Sequence, residues 1–391
     1  METVKNARKY STPLGNKNFQ HWGTSFSVRP RLAGPDRGAA IPQSSIIFTG
    51  QTTYSTGSNP RSLKVVDVNG DGKCDIIVAN YVSNNVGVLL NIGSGTFSAQ
   101  TTYLTGICPT EVATADVNGD GKLDIFVANA ASNNVGVLLN IGNGTFSAET
   151  TYSTGIWPGS VVAADVNGDN KPDIIVANYN SNNVSVLLNI GNGTFAIQKT
   201  YSTDSGPVEV AAADVNGDGK CDIIVANYVS NNVGVLLSIG NGTFTAQATY
   251  STGSGSNPCY VAAADVNGDG KCDIIVANCI SSNVGVLLNI GNGTFLTQTT
   301  YLTGSAPTCV AAADVNGDNK PDIIVANSSS NSVGVLLNLG NGTFAAQATY
   351  STGPGSDPYC VAAADVNDNN KTDIIVVNFG SNNVGVLLDY C

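Results

Sequence analysis

The chain has little charge, almost no histidine and no long apolar run. Charged residues make up 12% of its 391 residues, and its single histidine is His21. No stretch of about 18 apolar residues occurs, which excludes an ordinary transmembrane helix. No segment keeps a 3.6-residue apolar period over roughly ten residues, so helical repeats are excluded as well. The N-terminus lacks the apolar region of an ordinary secretory signal.

Glycine is abundant by contrast, with 44 residues, and Asn, Thr, Ser and Val are frequent. β-Branched residues favour strands, while Gly and Asn favour tight turns. The composition therefore predicts an all-β, turn-rich protein.

Seven copies of the pattern Asp-x-Asn-x-Asp-x-x-x-Asp run through the chain at intervals of 49, 49, 49, 51, 49 and 51 residues. The first copy reads DVNGDGKCD and the last DVNDNNKTD. Each places four oxygen-bearing side chains in one short loop, which is typical of a Ca²⁺ site. An EF-hand is disfavoured because Val78 stands where its final Glu would be. A solvated turn without metal is the alternative.

The acidic residues are concentrated in these loops. Of 29 Asp and Glu residues, 20 occupy the repeated positions. Seven divalent ions add 14 positive charges, which would move the formal net charge from −12 to +2. The acidity therefore suggests a set of metal sites rather than a surface for basic partners. No basic stripe crosses the repeats, so nucleic acid is not expected as a partner.

The period of about 50 residues is that of a solenoid or propeller. In the third copy, four extended segments follow one another: VVAAD (161–165), DIIVAN (173–178), VSVLLN (184–189) and TFAIQKTYST (194–203). Four antiparallel strands are the content of one propeller blade. We therefore predict an all-β, seven-bladed β-propeller over residues 44–391.

The ends of the array predict how the ring closes. The last copy stops after VGVLLDYC (384–391), which completes only three strands. The segment IIFTGQTTYSTG (46–57) matches the outer-strand segment GTFSAQTTYLTG (95–106). We therefore expect the N-terminal strand to complete the last blade and remove its open edge.

Residues 1–43 differ from the repeats in charge. They contain seven Lys and Arg residues against Glu2 and Asp36, and they show no hydrophobic period. This composition predicts a basic, disordered tail. A targeting or membrane-surface segment is the alternative.

The nine cysteines do not form an obvious disulfide pattern. Cys74, Cys221 and Cys272 each precede a second Cys in the next repeat, namely Cys108, Cys259 and Cys309. In a propeller these positions lie at opposite ends of a strand, on the order of 15 Å apart, which is beyond disulfide reach. We interpret the co-occurrence as shared repeat ancestry. The five Asn-Gly-Thr sequons are equally explained by hairpin turns.

The combination DVNGDGKxDIIVAN, NNVGVLLNIGNGTF and YSTG over residues 46–391 resembles the FG-GAP/VCBS repeat. This repeat forms the blades of integrin α-subunit propellers and of many extracellular proteins. The resemblance implies Ca²⁺ in the loop between the first and second strands of each blade. It also implies the side chains of the first, third, fifth and ninth loop residues, with the carbonyl of the seventh, as ligands.

The implied ligands are, blade by blade, Asp67, Asn69, Asp71, Lys73 and Asp75; Asp116, Asn118, Asp120, Lys122 and Asp124; Asp165, Asn167, Asp169, Lys171 and Asp173; Asp214, Asn216, Asp218, Lys220 and Asp222; Asp265, Asn267, Asp269, Lys271 and Asp273; Asp314, Asn316, Asp318, Lys320 and Asp322; Asp365, Asn367, Asn369, Lys371 and Asp373. In the seventh loop Asn369 replaces an Asp and Asp368 replaces a Gly. We therefore expect about six or seven ions and a weaker seventh site.

Catalytic residues are not evident. The repeats contain no histidine, and Glu111, Glu149 and Glu209 look scattered. Aromatic residues are the better indication of a binding surface. They follow second strands or precede inner strands, so we expect them on the face opposite the metal loops: Tyr81, Tyr179, Tyr228, Phe379, Trp157, Tyr260 and Tyr359. Ordinary rim packing is the alternative role.

Taken together, the sequence predicts a calcium-binding, non-enzymatic propeller that serves in adhesion or recognition. The resemblance and the millimolar Ca²⁺ outside cells indicate an extracellular or cell-surface location. The expected partner is a protein or glycan, and the propeller is expected to be monomeric. A lectin with sugar pockets between its blades is the alternative.

Overall fold

The computed structural model describes Phe48 and residues 50–389, and every regular element in that part is a β-strand. Seven four-stranded antiparallel sheets form, accompanied by six two-stranded ribbons. The inner strand of each sheet packs on the inner strand of the next, and the last packs on the first. The predicted seven-bladed β-propeller is confirmed. The predicted tail, residues 1–43, lies outside the described residues.

Each blade has its strands in the order inner, second, third and outer. The inner strands are Pro60–Val66, Pro109–Ala115, Pro158–Ala164, Pro207–Ala213, Pro258–Ala264, Pro307–Ala313 and Pro358–Ala364. The second strands are Asp75–Asn80, Asp124–Asn129, Asp173–Asn178, Asp222–Asn227, Asp273–Asn278, Asp322–Asn327 and Asp373–Asn378. The third strands are Asn85–Leu89, Asn134–Leu138, Asn183–Leu187, Asn232–Leu236, Asn283–Leu287, Ser332–Leu336 and Asn383–Leu387.

The outer strands of blades 1 to 6 are Thr101–Leu104, Thr150–Ser153, Lys199–Ser202, Ala248–Ser251, Thr299–Leu302 and Ala348–Ser351. The ribbons pair Asn91–Gly93 with Thr96–Phe97, Asn140–Gly142 with Thr145–Phe146, Asn189–Gly191 with Thr194–Phe195, Ser238–Gly240 with Thr243–Phe244, Asn289–Gly291 with Thr294–Phe295, and Asn338–Gly340 with Thr343–Phe344. Each ribbon connects a third strand to an outer strand.

Blade 7 takes its outer strand from the other end of the chain, as the sequence predicted. Thr52–Ser55 pairs antiparallel with the third strand of that blade, from Thr52 opposite Val386 to Ser55 opposite Asn383. Phe48 adds a bridge to Asp389. The pairing covers the edge of the third strand, which would otherwise offer its free backbone groups to another chain, and gives blade 7 the same four strands as the other blades.

The hydrophobic core is divided among the interfaces between blades. Second strands such as Asp173–Asn178 are buried on both faces, because each blade is covered by a neighbour on either side. One cluster joins blades 2 and 3, for example, and contains Phe126, Val161 and Phe195. Small inner-strand residues such as Ala211 and Ala212 suit the narrow space near the axis. No helix in the described part of the chain is long and apolar enough to cross a membrane.

Candidate functional site

The acidic loops fold into tight turns held by their own side chains. In blade 1, Asp67 accepts hydrogen bonds from the amides of Gly70 at 2.7 Å and Gly72 at 2.8 Å. Asn69 accepts one from the Asp71 amide at 2.8 Å, and Asp71 accepts one from the Lys73 amide at 2.9 Å. Gly70 and Gly72 have φ of 80° and 85°, values that side chains disfavour. The sequence spacing therefore curls four oxygen donors into one short loop.

The ninth loop residue is the fixed point of each site. Asp75 is fully buried, and its two carboxylate oxygens accept hydrogen bonds from the amides of Val68 at 3.0 Å and Asn91 at 2.8 Å. Asn91 lies in the ribbon, and its side chain also donates to the carbonyl of Val366 in the neighbouring blade. The equivalent Asn makes the same contact in blades 2, 3, 5 and 6, whereas Ser238 and Asp389 stand at this position in blades 4 and 7. Five loops are thereby tied both to their own ribbon and to the adjacent blade.

Burial of these carboxylates raises their pKa, and the nearby loop aspartates raise it further. The pKa is raised to about 6 for Asp124, Asp173, Asp222, Asp273 and Asp373, and to about 7 for Asp322. Backbone hydrogen bonds oppose the rise. The crowding of negative charge around a buried carboxylate favours a nearby cation.

A lysine supplies that positive charge in six loops. In blade 1 the ammonium of Lys73 lies 3.2 Å from Asp71, and equivalent ion pairs occur in blades 2 to 6 at 2.8–3.1 Å. Within the described residues, no three carboxylate, thiol or imidazole side chains are close enough to hold one ion. The donor chemistry fits a hard cation, provided that Asp71 and its equivalents exchange their ammonium partner for it.

The seventh loop differs from the other six at the position where Asn replaces Asp. Asn369 stands in the place of Asp71, and its amide donates to the Asp389 carbonyl at 2.9 Å. Asp368 and Asn370 adopt φ of 63° and 61° where the first loop has glycines. This loop therefore offers a neutral donor at a position where six loops carry a carboxylate.

The opposite face carries several of the predicted aromatics. Inner strands begin, and second strands end, at the end of the blade away from the acidic loops, as the pairing of Pro60 with Asn80 shows. There the guanidinium of Arg61 lies 5.4 Å from the ring centre of Tyr81 and 5.1 Å from that of Tyr359. Tyr359 also packs on Phe379 with ring centres 5.7 Å apart. We call these four residues the aromatic cluster.

Tyr228 and Trp157 lie on the same face but outside this cluster. The pKa of Tyr228 is raised by burial and by nearby thiols and tyrosines, including Tyr179 and Tyr359. Trp157 is partly buried and has φ of 61°, and the residue at this position has positive φ in every blade. A bulky residue in this left-handed region is strained by roughly 1 kcal/mol or more. The strain is tolerated because the Trp157 amide donates to the side chain of Asn133 at 2.8 Å.

Tyr260 does not belong to the binding face, and the expectation for it was wrong. It lies within the inner strand of blade 5, opposite Ala277, and it is buried. A β-bulge between Pro258 and Tyr260 adds one residue to the strand and turns Tyr260 toward the axis.

Tyr260 is one of seven equivalent residues that form a buried ring around the axis. Each is the third residue of an inner strand and pairs with the penultimate residue of a second strand. All seven are buried. We call this set the axial ring: Ser62, Glu111, Ser160, Glu209, Tyr260, Cys309 and Cys360.

Glu111 and Glu209 are therefore not scattered, as the sequence suggested, but occupy the same position in blades 2 and 4. Their carboxyl groups hydrogen-bond to each other, and the ammonium of Lys64 lies 4.0 Å from Glu111. Burial and the charge of Glu111 raise the pKa of Glu209 well above its usual range. The raised pKa favours the protonated form of Glu209, which can then donate to Glu111. Glu149 lies elsewhere and accepts a hydrogen bond from the Asn129 amide at 2.8 Å.

The eight described cysteines are all free thiols. None of the three cysteine pairs that the sequence spacing suggests forms a disulfide. The contacts instead join Cys259 to Cys279 within blade 5 and Cys309 to Cys360 across blades 6 and 7.

The chain is thus a seven-bladed β-propeller with four strands in each blade. In every blade an acidic loop connects the inner strand to the second strand. The model of the FG-GAP-like repeat matches residues 67–127, 116–176, 165–225, 214–276, 265–325 and 314–376. The chain therefore belongs to the FG-GAP-like repeat family. A search of curated proteins finds no significant match.

Solved structures of low sequence identity share the fold. Virginiamycin B lyase from Staphylococcus aureus is 14% identical, with a TM-score of 0.62 over 88% of this chain and 100% of that one. A lectin from Agrocybe aegerita that recognises non-reducing terminal N-acetylglucosamine is 22% identical, with a TM-score of 0.54 over 82% of this chain and 86% of that one. Hydrazine synthase from Kuenenia stuttgartiensis is 18% identical, with a TM-score of 0.58 over 92% and 99% of the two chains.

Proposed function

We propose that this protein is a calcium-stabilised, non-enzymatic propeller that recognises a protein or glycan outside the cell. The observation that carries the proposal is the separation of the repeated acidic loops and the aromatic residues on opposite faces. The acidic loops, which repeat one set of oxygen donors, lie on one face of the propeller. The aromatic cluster, Trp157 and Tyr228 lie on the other face. One face would hold ions and the other would bind the partner.

In the first loop, Asp67, Asn69, Asp71 and Asp75 would hold Ca²⁺ through side-chain oxygens, with the carbonyl of Lys73 as a further donor. The bound ion would supply the positive charge that the loop otherwise receives from Lys73. Asp75 would keep the site in place, since its backbone hydrogen bonds already anchor it to the ribbon. At 100 times its dissociation constant, one ion would add ~2.7 kcal/mol to the free energy of unfolding.

The recognition role rests on the aromatic residues of this face, including the indole of Trp157. Aromatic and Arg side chains dominate protein recognition surfaces, because they bury a large area with few rotatable bonds. Positive φ recurs at this position in all seven blades, so the distinguishing feature of blade 3 is the partly buried indole that Trp157 places there. A ligand that stacks on Trp157 would explain why a bulky residue stands where Gly206 stands in blade 4.

A hydrolytic or lyase function is less well supported. Glu111 and Glu209 are coupled carboxyl groups, as in some acid–base sites, but both are buried in the axial ring. Other carboxylates are mostly committed to the loops. The likeness to virginiamycin B lyase is a likeness of fold at 14% identity.

The proposal is tested by binding assays with and without Ca²⁺. The protein should bind cells or immobilised extracellular proteins in Ca²⁺, and chelation should abolish binding together with a fall in the melting temperature. Simple sugars should not compete for a protein ligand, whereas competition by a defined sugar would favour the lectin described below. Binding that persists in the chelator-stripped protein would contradict the calcium-dependent role, and turnover of polysaccharide substrates would contradict the non-enzymatic one.

A lectin is the second candidate, favoured by a groove between blades 5 and 6. The groove is open to solvent, has a volume of about 490 Å³ and is lined by Tyr301, Leu302, Phe344 and Gln347, among others. It combines an aromatic wall with amide and hydroxyl groups, which suits a sugar ring. Defined hits on a glycan array, lost on Gln347→Ala but retained on Trp157→Ala, would favour the lectin over the aromatic face.

A further inference from the structure

Cys309 and Cys360 meet at the interface of blades 6 and 7. Their sulfur atoms are 3.3 Å apart, and Cys309 donates to Cys360. Both residues belong to the axial ring and are buried, with 1% and 6% of their surface exposed. The two blades adjoin through their inner strands, so this contact crosses a blade interface.

The contact follows from a geometry that recurs around the ring. The hydroxyl of Ser62 accepts a hydrogen bond from the Val112 amide of the next blade at 3.4 Å. Ser160 and Val210 repeat this contact at 3.2 Å, and the Cys309 sulfur repeats it with the Val361 amide at 3.4 Å. In each case the side chain of one axial-ring residue contacts a backbone amide of the next blade. That amide belongs to the residue directly after the ring residue of the next blade. Cys309 is thereby held against Cys360 by the fold.

We infer that Cys309 and Cys360 are an oxidation site that forms a disulfide between blades 6 and 7 when a small peroxide reaches the axial ring. Hydrogen peroxide is the chemical class of oxidant that such a narrow, buried site admits. The two thiols lose two electrons and two protons, and the O–O bond breaks to give two waters. A disulfide needs its sulfur atoms about 2.05 Å apart, so the pair must close by little more than 1 Å.

The surroundings assign separate roles to the two sulfurs. The hydrogen bond from Cys309 lowers the pKa of the Cys360 thiol, against the effect of burial, and Lys64 lowers it further. Glu111 acts in the opposite direction. Cys360 would therefore attack the peroxide and become a sulfenic acid with release of one water. Cys309 would then attack that sulfur and release the second water.

The disulfide would link blade 6 covalently to blade 7, which is the blade that the N-terminal strand completes. Because 51 positions separate the two cysteines, the crosslink would restrict a long loop of the unfolded chain. The melting temperature of the oxidised protein should rise on the order of 5 °C over that of the reduced protein. Since the pair lies in the axial ring, the metal loops should be unaffected.

The test exposes the reduced full chain to millimolar hydrogen peroxide, then alkylates the remaining thiols and maps the peptides by mass spectrometry. The expected result is a linked peptide pair containing Cys309 and Cys360, together with the rise in melting temperature. Both should disappear in Cys309→Ser and in Cys360→Ser, and a reductant should reverse them in the unsubstituted protein.

The pair Cys259 and Cys279 provides the matched control. The hydrogen bond from Cys259 lowers the pKa of Cys279 to about 7, so this pair tests whether any nearby thiols react equally. Cys259→Ser should leave the Cys309–Cys360 link and the rise in melting temperature unchanged. Alkylation of both Cys309 and Cys360 after peroxide treatment would overturn the inference. Overoxidation of Cys360 to a sulfinic acid without a link would overturn it as well.

Discussion

Phe48 packs edge-to-face on Tyr350, with ring centres 5.2 Å apart, although the two residues come from opposite ends of the described chain. The same contact joins an outer-strand Tyr to the ribbon Phe of the next blade elsewhere, as for Tyr103 and Phe146 at 5.4 Å. Phe48 thus takes the place of a ribbon Phe in blade 7. The N-terminal segment supplies this blade with both an outer strand and its aromatic contact to blade 6.

Removal of this segment should open the ring. A chain beginning at residue 57 loses Phe48 and Thr52–Ser55, which exposes the edge of Asn383–Leu387 and should promote aggregation. A chain beginning at residue 44 should be nearly as stable as the full chain. Thermal unfolding and size-exclusion chromatography compare the two, and equal stability would contradict closure by the N-terminal strand.

Phe48→Ala isolates the aromatic contact from the strand pairing. Phe48 is buried, so the substitution should lower the free energy of unfolding by about 3 kcal/mol. Ile197→Ala, at a side chain that is 95% exposed, is the control and should change it by less than about 0.5 kcal/mol. Urea unfolding measures both, and a neutral Phe48→Ala would mean that strand pairing alone closes the ring.

The metal loops should bind six Ca²⁺ ions tightly and a seventh more weakly. The seventh loop carries Asn369 where the others carry an Asp, so it lacks one charged donor. Calorimetric titration of the chelator-stripped protein should show this stoichiometry, with a large rise in melting temperature. Fewer than four bound ions would refute the assignment.

Two substitutions, each of which changes one charge, test whether the fifth loop residue determines the difference in Ca²⁺ affinity between the sites. Asp71→Asn should weaken one of the six tight sites, because it makes the first loop resemble the seventh. Asn369→Asp should strengthen the seventh site by restoring the carboxylate. The same titration measures both, and an unchanged set of affinities would show that this position does not bind the ion.

The pair Glu111 and Glu209 should make stability depend on pH. Burial raises the folded pKa of Glu209 above its unfolded value, so the folded state holds the proton more tightly. Its contribution is fully present below the unfolded pKa and is lost as pH rises toward the folded pKa, at ~1.4 kcal/mol per pH unit. Glu209→Gln keeps a donor to Glu111 without titrating. The variant should therefore gain stability relative to the unsubstituted protein as pH rises from about 5 to 8.

Urea unfolding across this pH range measures the difference between the two proteins, so that titration of the loop carboxylates cancels. Glu111→Gln is the contrasting variant, since it leaves Lys64 without its buried partner and should be destabilising throughout. Parallel pH profiles for Glu209→Gln and the unsubstituted protein would show that Glu209 is ionised in the folded state.

The fold could be predicted from the sequence because each repeat packs only on its neighbours. The period, the strand pattern and the match of residues 46–57 to an outer strand together determine the blade and its closure. The axial ring was missed, although Glu111 and Glu209 lie 98 residues apart, which is two repeat periods. Aligning the repeats would have placed both in one column.

Other features depend on local geometry that the repeat pattern does not show. Tyr260 was assigned to the binding face because the bulge that turns it inward has no sequence signal of its own. The Cys309–Cys360 contact arises because the ring brings equivalent residues of adjacent blades together. The spacing of the cysteines along the sequence suggested different partners, because it does not show that the inner strands of neighbouring blades lie side by side.

Trp157 should separate recognition from stability, because its side chain is placed at a cost to the backbone. Trp157→Gly relieves the strain of a φ of 61° and should raise the free energy of unfolding by up to about 1 kcal/mol. If Trp157 is an anchor for the ligand, the same variant should weaken binding by roughly 2 kcal/mol or more, with Ca²⁺ stoichiometry unchanged. Ala306→Gly, at the equivalent position of blade 6 with φ of 53°, is the control and should leave binding intact. Binding to the extracellular partner and urea unfolding are measured on both variants. Unaltered binding after Trp157→Ala combined with Tyr179→Ala would move the site away from this face and make the groove between blades 5 and 6 the next candidate.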